Sequence, residues 1–231
     1  MKTLGIVGGI GPESTIVYYR AILAEYRALK PDGSAPSIII NSIDLHRMLG
    51  LIAAGRYAEV SDFLLAEVRR LAAAGATFAL LAAGTPHIVF DQIQRGSPIP
   101  LLSLVEATRD AAHARGYKKV GLFGTRFTMQ ARFFPEVFAK SGIAVVSPAE
   151  EEQTYIHDRY MNELVKGIVL PETRDRLLTI AEHMMQRDGI EGLILGGTEL
   201  SLILGGTTEV SIPLLDATHI HVKRAAEALL A

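Results

Sequence analysis

Apolar residues along the chain fall into two alternating patterns. Short runs bounded by Gly or Pro read as strands: Thr3–Val7, Ser37–Ser42, Thr77–Ala82, Leu101–Ser103, Lys119–Phe123, Ala144–Ser147, Gly192–Leu195 and Leu214–Leu215. Between them apolar positions recur at helical spacing. The stretch Glu59–Ala73, for example, sets Val60, Phe63, Leu64, Val68 and Leu71 on one face. Strands alternating with helices predict an α/β chain whose parallel sheets are covered by helices.

The pattern also repeats. Gly8 and Gly124 each close a strand and lie 116 residues apart. Gly75 and Gly189 each end a helix ahead of a strand, 114 residues apart, and Pro100-Leu101-Leu102 recurs 113 residues later as Pro213-Leu214-Leu215. Three features at nearly one offset predict two copies of one α/β unit. The first lobe is residues 1–100 with the C-terminal segment 216–231 folded back onto it, and the second is 101–215. Loops at the carboxyl ends of parallel strands are the natural binding positions, so two facing copies place a cleft between the lobes.

Composition narrows the partners. The 231 residues are 49% hydrophobic and 21% charged, with a formal net charge of -2. No basic excess is present to neutralise phosphates, so nucleic acid is not expected as a partner. The apolar run Ile190–Leu204 is broken by Gly, Thr and Glu and falls short of the roughly 20 residues that a membrane span needs. The N-terminus reads as a first strand running into a glycine turn, not as a signal peptide, which predicts a cytoplasmic protein. There is no cysteine, hence no disulfide, no thiolate nucleophile and no cysteine metal site. His219 and His221, two residues apart, do not share a helix face, so no metal site is expected.

Four segments fall at expected strand ends. Gly8-Gly9-Ile10-Gly11-Pro12-Glu13-Ser14-Thr15 is a glycine turn opening a helix. There the backbone of Gly9 and Gly11 can approach a ligand and helix N–H groups favour an anion. It lacks the Lys-Ser/Thr ending of a P-loop and the third glycine of a dinucleotide fingerprint, so a small carboxylate suits it better than a nucleotide. Ala83-Gly84-Thr85-Pro86-His87 offers a hydroxyl at Thr85 and an imidazole at His87. Gly124 to Met129 carries Thr125 and Thr128 around a helix start, suited both to a helix cap and to an anion cradle. Gly196-Gly197-Thr198-Glu199 sets a carboxylate among leucines, with a second glycine pair at Gly205-Gly206. Desolvation there raises a carboxyl pKa unless the group finds a partner.

Taken together, these segments resemble the cofactor-independent aspartate/glutamate racemase family. Gly8 to Thr15 is similar to that family's Gly-Gly-Met-Gly-Pro-x-Ala/Ser-Thr opening, and Asn41-Ser42-Ile43-Asp44 with Arg47 is similar to its second-strand segment. Gly84 to His87 falls on its Cys-Asn-Thr-x-His motif, and Gly196 to Glu199 on its Gly-Cys-Thr-Glu. The resemblance covers essentially the whole chain. It implies two similar α/β lobes related by a pseudo-twofold axis, a site between them, no cofactor, a homodimer, and a small amino acid or carboxylate as ligand. It also implies ligand binding by Gly9, Gly11, Gly84, Thr85, Thr125, Thr128 and Thr198. Arg47 is the candidate for a distal carboxylate, because guanidinium pairs bidentately with carboxylates.

The family racemises amino acids with two cysteines, one on each face of the α-carbon. Those positions are Ala83 and Gly197 here, 114 residues apart, and neither carries a titratable group. A positioned base contributes about 10²–10⁴-fold to such proton transfers, so the usual two-thiol racemisation is not open to this chain. Two readings follow. One is an isomerase-family enzyme with substituted chemistry, which would need His87, Glu199 or Asp44 as acid/base for epimerisation, decarboxylation or a lyase step. The other is a catalytically silent carboxylate binder. An imidazole of His87 aimed at the ligand favours the first, and one bonded to backbone favours the second.

Overall fold

A computed structural model of the chain describes residues 2–205 and 211–231. Among the described residues eight strands form two four-stranded, wholly parallel sheets. The first contains β1 (Thr3–Gly8), β2 (Ser37–Ser42), β3 (Phe78–Leu81) and β4 (Leu101–Leu102), in the order β2-β1-β3-β4. The second contains β5 (Lys119–Phe123), β6 (Ala144–Val146), β7 (Gly192–Leu195) and β8 (Leu214–Asp216), in the order β6-β5-β7-β8. Each strand lies within one residue of its expected ends, and the two sheets share one strand order, as a duplicated unit would.

The chain divides into two compact units, Met1–Leu104 with His221–Ala231, and Val105–Ile220. These boundaries fall a few residues after 100 and 216. Leu101 and Leu102 pair with Ala79 and Leu80 in the first sheet, and Leu214–Asp216 pairs with β7 in the second. Among the described residues no helix is long and apolar enough to cross a membrane.

Burial follows from the parallel pairing. The inner strands are covered on both faces, so β3 and β7 are buried at every residue, whereas the edge strands β2 and β6 alternate or face solvent. In the first unit Leu4, Ile6, Phe78 and Leu80 pack on Tyr18, Ile22 and Tyr26 of helix Pro12–Leu29, and on Val222, Ala225 and Leu229 of helix Ala217–Leu230. The opposite face, Val7, Ala79 and Leu81, packs on Val60, Leu64, Val68 and Leu71 of helix Tyr57–Ala73. In the second unit Phe123, Leu193 and Leu195 pack on Ile156 and Tyr160 of helix Glu150–Asn162 and on Leu177, Ile180 and Met184 of helix Pro171–Asp188.

The C-terminal helix is tied to the first sheet by a buried histidine. His221 Nε2 lies 3.1 Å from the Leu102 carbonyl and Nδ1 lies 3.0 Å from the Tyr18 hydroxyl. The carbonyl can only accept, so Nε2 carries the proton and Nδ1 accepts from Tyr18. The ring is fully buried, and its centroid lies 6.4 Å from that of His87. Burial, with His87 alongside, pushes the His221 pKa down from 6.5 to about 3. The fold therefore holds the neutral form. Its contribution is fully present above the unfolded-state value of 6.5 and is lost as pH falls toward 3. Between pH 7 and 5 the loss from this one histidine is about 2 kcal/mol. The melting temperature should fall over that range, and fall less steeply in His221→Gln, although that variant is less stable at pH 7. Equal slopes in the two proteins would show that His221 is not held neutral.

Candidate functional site

The motif-bearing loops leave the carboxyl ends of the strands in each unit. In the first unit, β1 ends at Gly8, and Gly9 and Gly11 follow with φ of 77° and 89° before the helix opens at Pro12. These left-handed angles suit only glycine. A side chain at Gly9 would also strike the Ile43 backbone, since the Ile43 N–H bonds the Gly8 carbonyl at 2.9 Å and draws the loops together. The Gly9 N–H is already engaged, donating to the Thr15 hydroxyl at 2.9 Å, which in turn donates to the Gly11 carbonyl at 3.3 Å. The opening is thus closed on itself through Thr15.

Next to it, the end of β2 is polar. Asn41 Nδ2 donates to Glu67 at 2.8 Å, and Arg70 pairs with the same buried carboxylate. Asp44 is exposed and caps helix Leu45–Ala53 by accepting from the His46 N–H at 2.9 Å. Its carboxylate, a candidate acid/base from the sequence, thus has a structural duty at the surface. Arg47 is exposed as well, its guanidinium 4.5 Å over the Phe63 ring. A cation over an aromatic face keeps its charge and its hydrogen-bonding edges, so Arg47 retains what a carboxylate needs.

After β3, Ala83, Gly84 and Thr85 are half-buried and lead into a 3₁₀ turn, Thr85–Val89. His87 turns inward. Its Nε2 accepts from the Leu104 N–H at 3.0 Å, and its Nδ1 donates toward the Ala83 and Gly84 carbonyls at 3.1 and 3.2 Å. The ring stacks on Phe90 at 5.0 Å. Burial pushes its pKa down from 6.5 to about 4. Both nitrogens bond to backbone, so His87 is a neutral brace between β3 and the end of β4, the geometry that favours the silent-binder reading over His87 as acid/base.

The second unit is different. Thr125 follows β5 and accepts from the Thr128 N–H at 3.3 Å, with the two hydroxyls 3.1 Å apart. The Gly196 N–H reaches the Phe123 carbonyl at 2.8 Å, so the ends of β5 and β7 lie side by side. A side chain at Gly196 would meet that carbonyl and the Thr128 methyl. Glu199, half-buried at the start of helix Thr198–Leu204, accepts from the Thr198 hydroxyl at 2.7 Å and from the phenol of Tyr160. Gly205 ends that helix, and Gly206 lies outside the described residues. Among the described residues no three His, Asp or Glu side chains gather to hold a metal ion.

Tyr160 is the residue that local sequence reading misses. It rises from helix Glu150–Asn162 into the core and is 7% exposed. A Cβ placed on Gly197 would lie 3.0 Å from Cε2 and Cζ of its ring and closer still to its hydroxyl. The phenol therefore fills the space that a side chain at 197 would take. Glycine is not required there by the backbone, because φ of -166° and ψ of 148° are extended values open to any residue. It is required by Tyr160. Burial, together with the Glu199 charge, holds the Tyr160 pKa well above 10.0, so the phenol stays protonated and donates to the carboxylate. The available signal was the spacing Ile156, Tyr160, Leu164, a buried stripe along an otherwise polar segment whose one hydroxyl must find a partner.

Gly197→Ala should accordingly cost about 1–3 kcal/mol through overpacking. Shortening the neighbour in Gly197→Ala/Tyr160→Leu should make the double variant less destabilised than the sum of the singles. Strict additivity in denaturant unfolding would show that the two positions do not share space. A cysteine introduced at 197 meets the same obstruction, so restoring a thiol there also needs Tyr160 shortened.

Comparison with known proteins agrees with this architecture. The Asp/Glu/hydantoin racemase family model matches residues 7–225. A putative Asp/Glu racemase from Yersinia pestis is 32% identical, with a TM-score of 0.93 over 100% of both chains. An aspartate racemase homologue from Pyrococcus horikoshii OT3 is also 32% identical, with a TM-score of 0.90 over 100% of both chains. The broad specificity amino-acid racemase RacX of Bacillus subtilis is 25% identical over 99% of this chain and 98% of its own. With that extent of match, and motifs in order at the strand ends, the chain belongs to the Asp/Glu/hydantoin racemase family.

Proposed function

We propose that this protein acts on a small amino acid or carboxylate by acid/base chemistry confined to one face of the ligand, without racemising it. The carrying observation is the Glu199 carboxylate, held between the Thr198 hydroxyl and the Tyr160 phenol beside the bare backbone of Gly197. No counterpart stands after β3, where Ala83 is a methyl and His87 has both nitrogens bonded to backbone. Inversion at a carbon centre needs proton removal on one face and delivery on the other. A group on one face alone returns the proton where it came from.

Binding falls to the groups that remain. In the second unit the hydroxyls of Thr125 and Thr128 lie 3.1 Å apart after β5, where one O–H of the pair is left to meet a carboxylate, while the Thr198 hydroxyl gives its proton to Glu199 and positions it. In the first unit Gly9, Gly11, Gly84 and Thr85 lie at the ends of the paired strands β1 and β3, and the family resemblance assigns them, with the exposed Arg47, to ligand binding; of these the Gly9 N–H is already given to Thr15. On the family resemblance the reading extends to a cytoplasmic homodimer that uses no cofactor and binds neither nucleic acid nor membrane.

The second reading, a silent carboxylate binder, is favoured by the same His87 geometry, which leaves the first unit without a proton carrier. One experiment separates them. L- and D-amino acids and small dicarboxylates are incubated with the protein in D₂O, α-deuteration is followed by NMR, and configuration by chiral chromatography. The proposal predicts deuterium entering one enantiomer with its configuration retained. Binding without exchange would select the silent reading, and exchange accompanied by inversion would contradict both.

A further inference from the structure

Resting on that one-faced reading, we infer that the phenol of Tyr160, reaching through the gap at Gly197, is the group that exchanges a proton with the ligand, and that Glu199 is its proton store. The argument begins with space. Position 197 is where the family resemblance sets the second thiol, facing the α-carbon. Here the Tyr160 hydroxyl and ring carbons take up the volume of a 197 side chain. The oxygen thus comes to the place of the sulfur from a different element, helix Glu150–Asn162 instead of the β7 loop. Its ring belongs to the buried cluster that also holds Phe123, Leu195 and Leu200 and is 7% exposed, which gives the oxygen the positional definition that proton transfer requires.

The hydrogen bonding sets the direction of the chemistry. A phenol has one O–H donor and two acceptor positions. The donor is engaged with Glu199, so an acceptor lone pair of the oxygen is what can meet an incoming proton. Forming a free phenolate beside Glu199 is disfavoured by burial and by the carboxylate charge. A concerted relay avoids it. The ligand Cα–H bond breaks and its proton goes to Oη as the phenol's own proton passes to Glu199 Oε2. The electron pair left on Cα delocalises into the ligand carboxylate. Charge therefore moves from Glu199 to the ligand, and no phenolate forms. Reversal returns a proton from Oη to the same face, and exchange of the Glu199 proton with D₂O in between leaves deuterium at Cα with configuration retained. Thr198, whose hydroxyl also bonds Oε2 at 2.7 Å, is a positioning residue for that oxygen.

The alternatives in the chain do not offer this. His87 has no nitrogen left for a ligand, and Asp44 is an exposed helix cap. The test is α-deuteration in D₂O with the ligand that the wild-type protein exchanges, alongside ligand affinity by titration calorimetry. Tyr160→Phe keeps the ring packing and removes only the oxygen. The expected result is a fall in exchange of about 100-fold or more with the Kd little changed. Glu199→Gln should lower exchange while leaving the Tyr160 ring in place, and it serves as the second probe if Tyr160→Phe folds poorly. Exchange that persists at the wild-type rate in Tyr160→Phe overturns this inference and leaves the one-faced reading intact. A wild-type protein that binds ligand but exchanges nothing overturns both.

Discussion

Parallel pairing brings the carboxyl ends of neighbouring strands to one edge of a sheet, and the chemistry of this chain depends on where those ends fall. In the first unit β1 and β3 run in register from Leu4 opposite Phe78 to Val7 opposite Leu81. The glycine turn and the Ala83–His87 segment must therefore emerge side by side. In the second, Phe123 lies opposite Leu195, which delivers Thr125, Thr128, Gly197 and Glu199 into one neighbourhood. Small residues at these ends are dictated by closeness. Gly8 and Gly124 each lie under a threonine of the following helix, Thr15 and Thr128, where a Cβ would collide. One packing solution is thus used twice.

The two units diverge in what they do with polar groups at that edge. The first consumes them internally: Gly9 bonds Thr15, Asp44 caps a helix, and His87 joins β3 to the backbone at Leu104. Two neutral buried histidines, His87 and His221, fasten this unit at the expense of acid tolerance, since both pKa values are held low by burial. The second unit keeps an ionisable pair. Tyr160 and Glu199 satisfy each other across 39 residues of sequence, and the absence of a side chain at Gly197 makes that contact possible. A phenol carrying a proton toward a carboxylate differs from a thiolate in kind. It is neutral at ordinary pH, and it moves charge only when one proton arrives at its oxygen as its own proton leaves.

Much of this was legible in the sequence. The strands could be read because each is a short apolar run ended by Gly, Pro or a polar residue, and the duplication showed as a constant offset between strand-end glycines. Thr77 is the kind of residue that blurs an end: its N–H donates to the Thr3 carbonyl at 2.9 Å, but the Thr3 N–H goes to its hydroxyl at 3.0 Å and not to a backbone carbonyl. The roles of single side chains were less legible. Whether His87 faces ligand or backbone depends on Leu104, 17 residues away. The reason for glycine at 197 lies in Tyr160, on a mostly polar helix whose apolar stripe marks the residue as buried but does not name its partner. Chemistry that depends on such distant pairs leaves no motif, because motifs record residues that share a loop.

The most direct test of this account is the ionisation of Tyr160 itself. Tyrosine labelled with ¹³C at Cζ reports protonation by chemical shift, the Tyr160 signal is assigned by its loss in Tyr160→Phe, and the other tyrosines act as internal references. The account predicts that the Tyr160 signal stays in its protonated form through the ordinary phenol midpoint of 10.0, and moves back toward that value in Glu199→Gln. A Tyr160 signal that titrates with the exposed tyrosines in the wild-type protein, indifferent to Glu199, would contradict it.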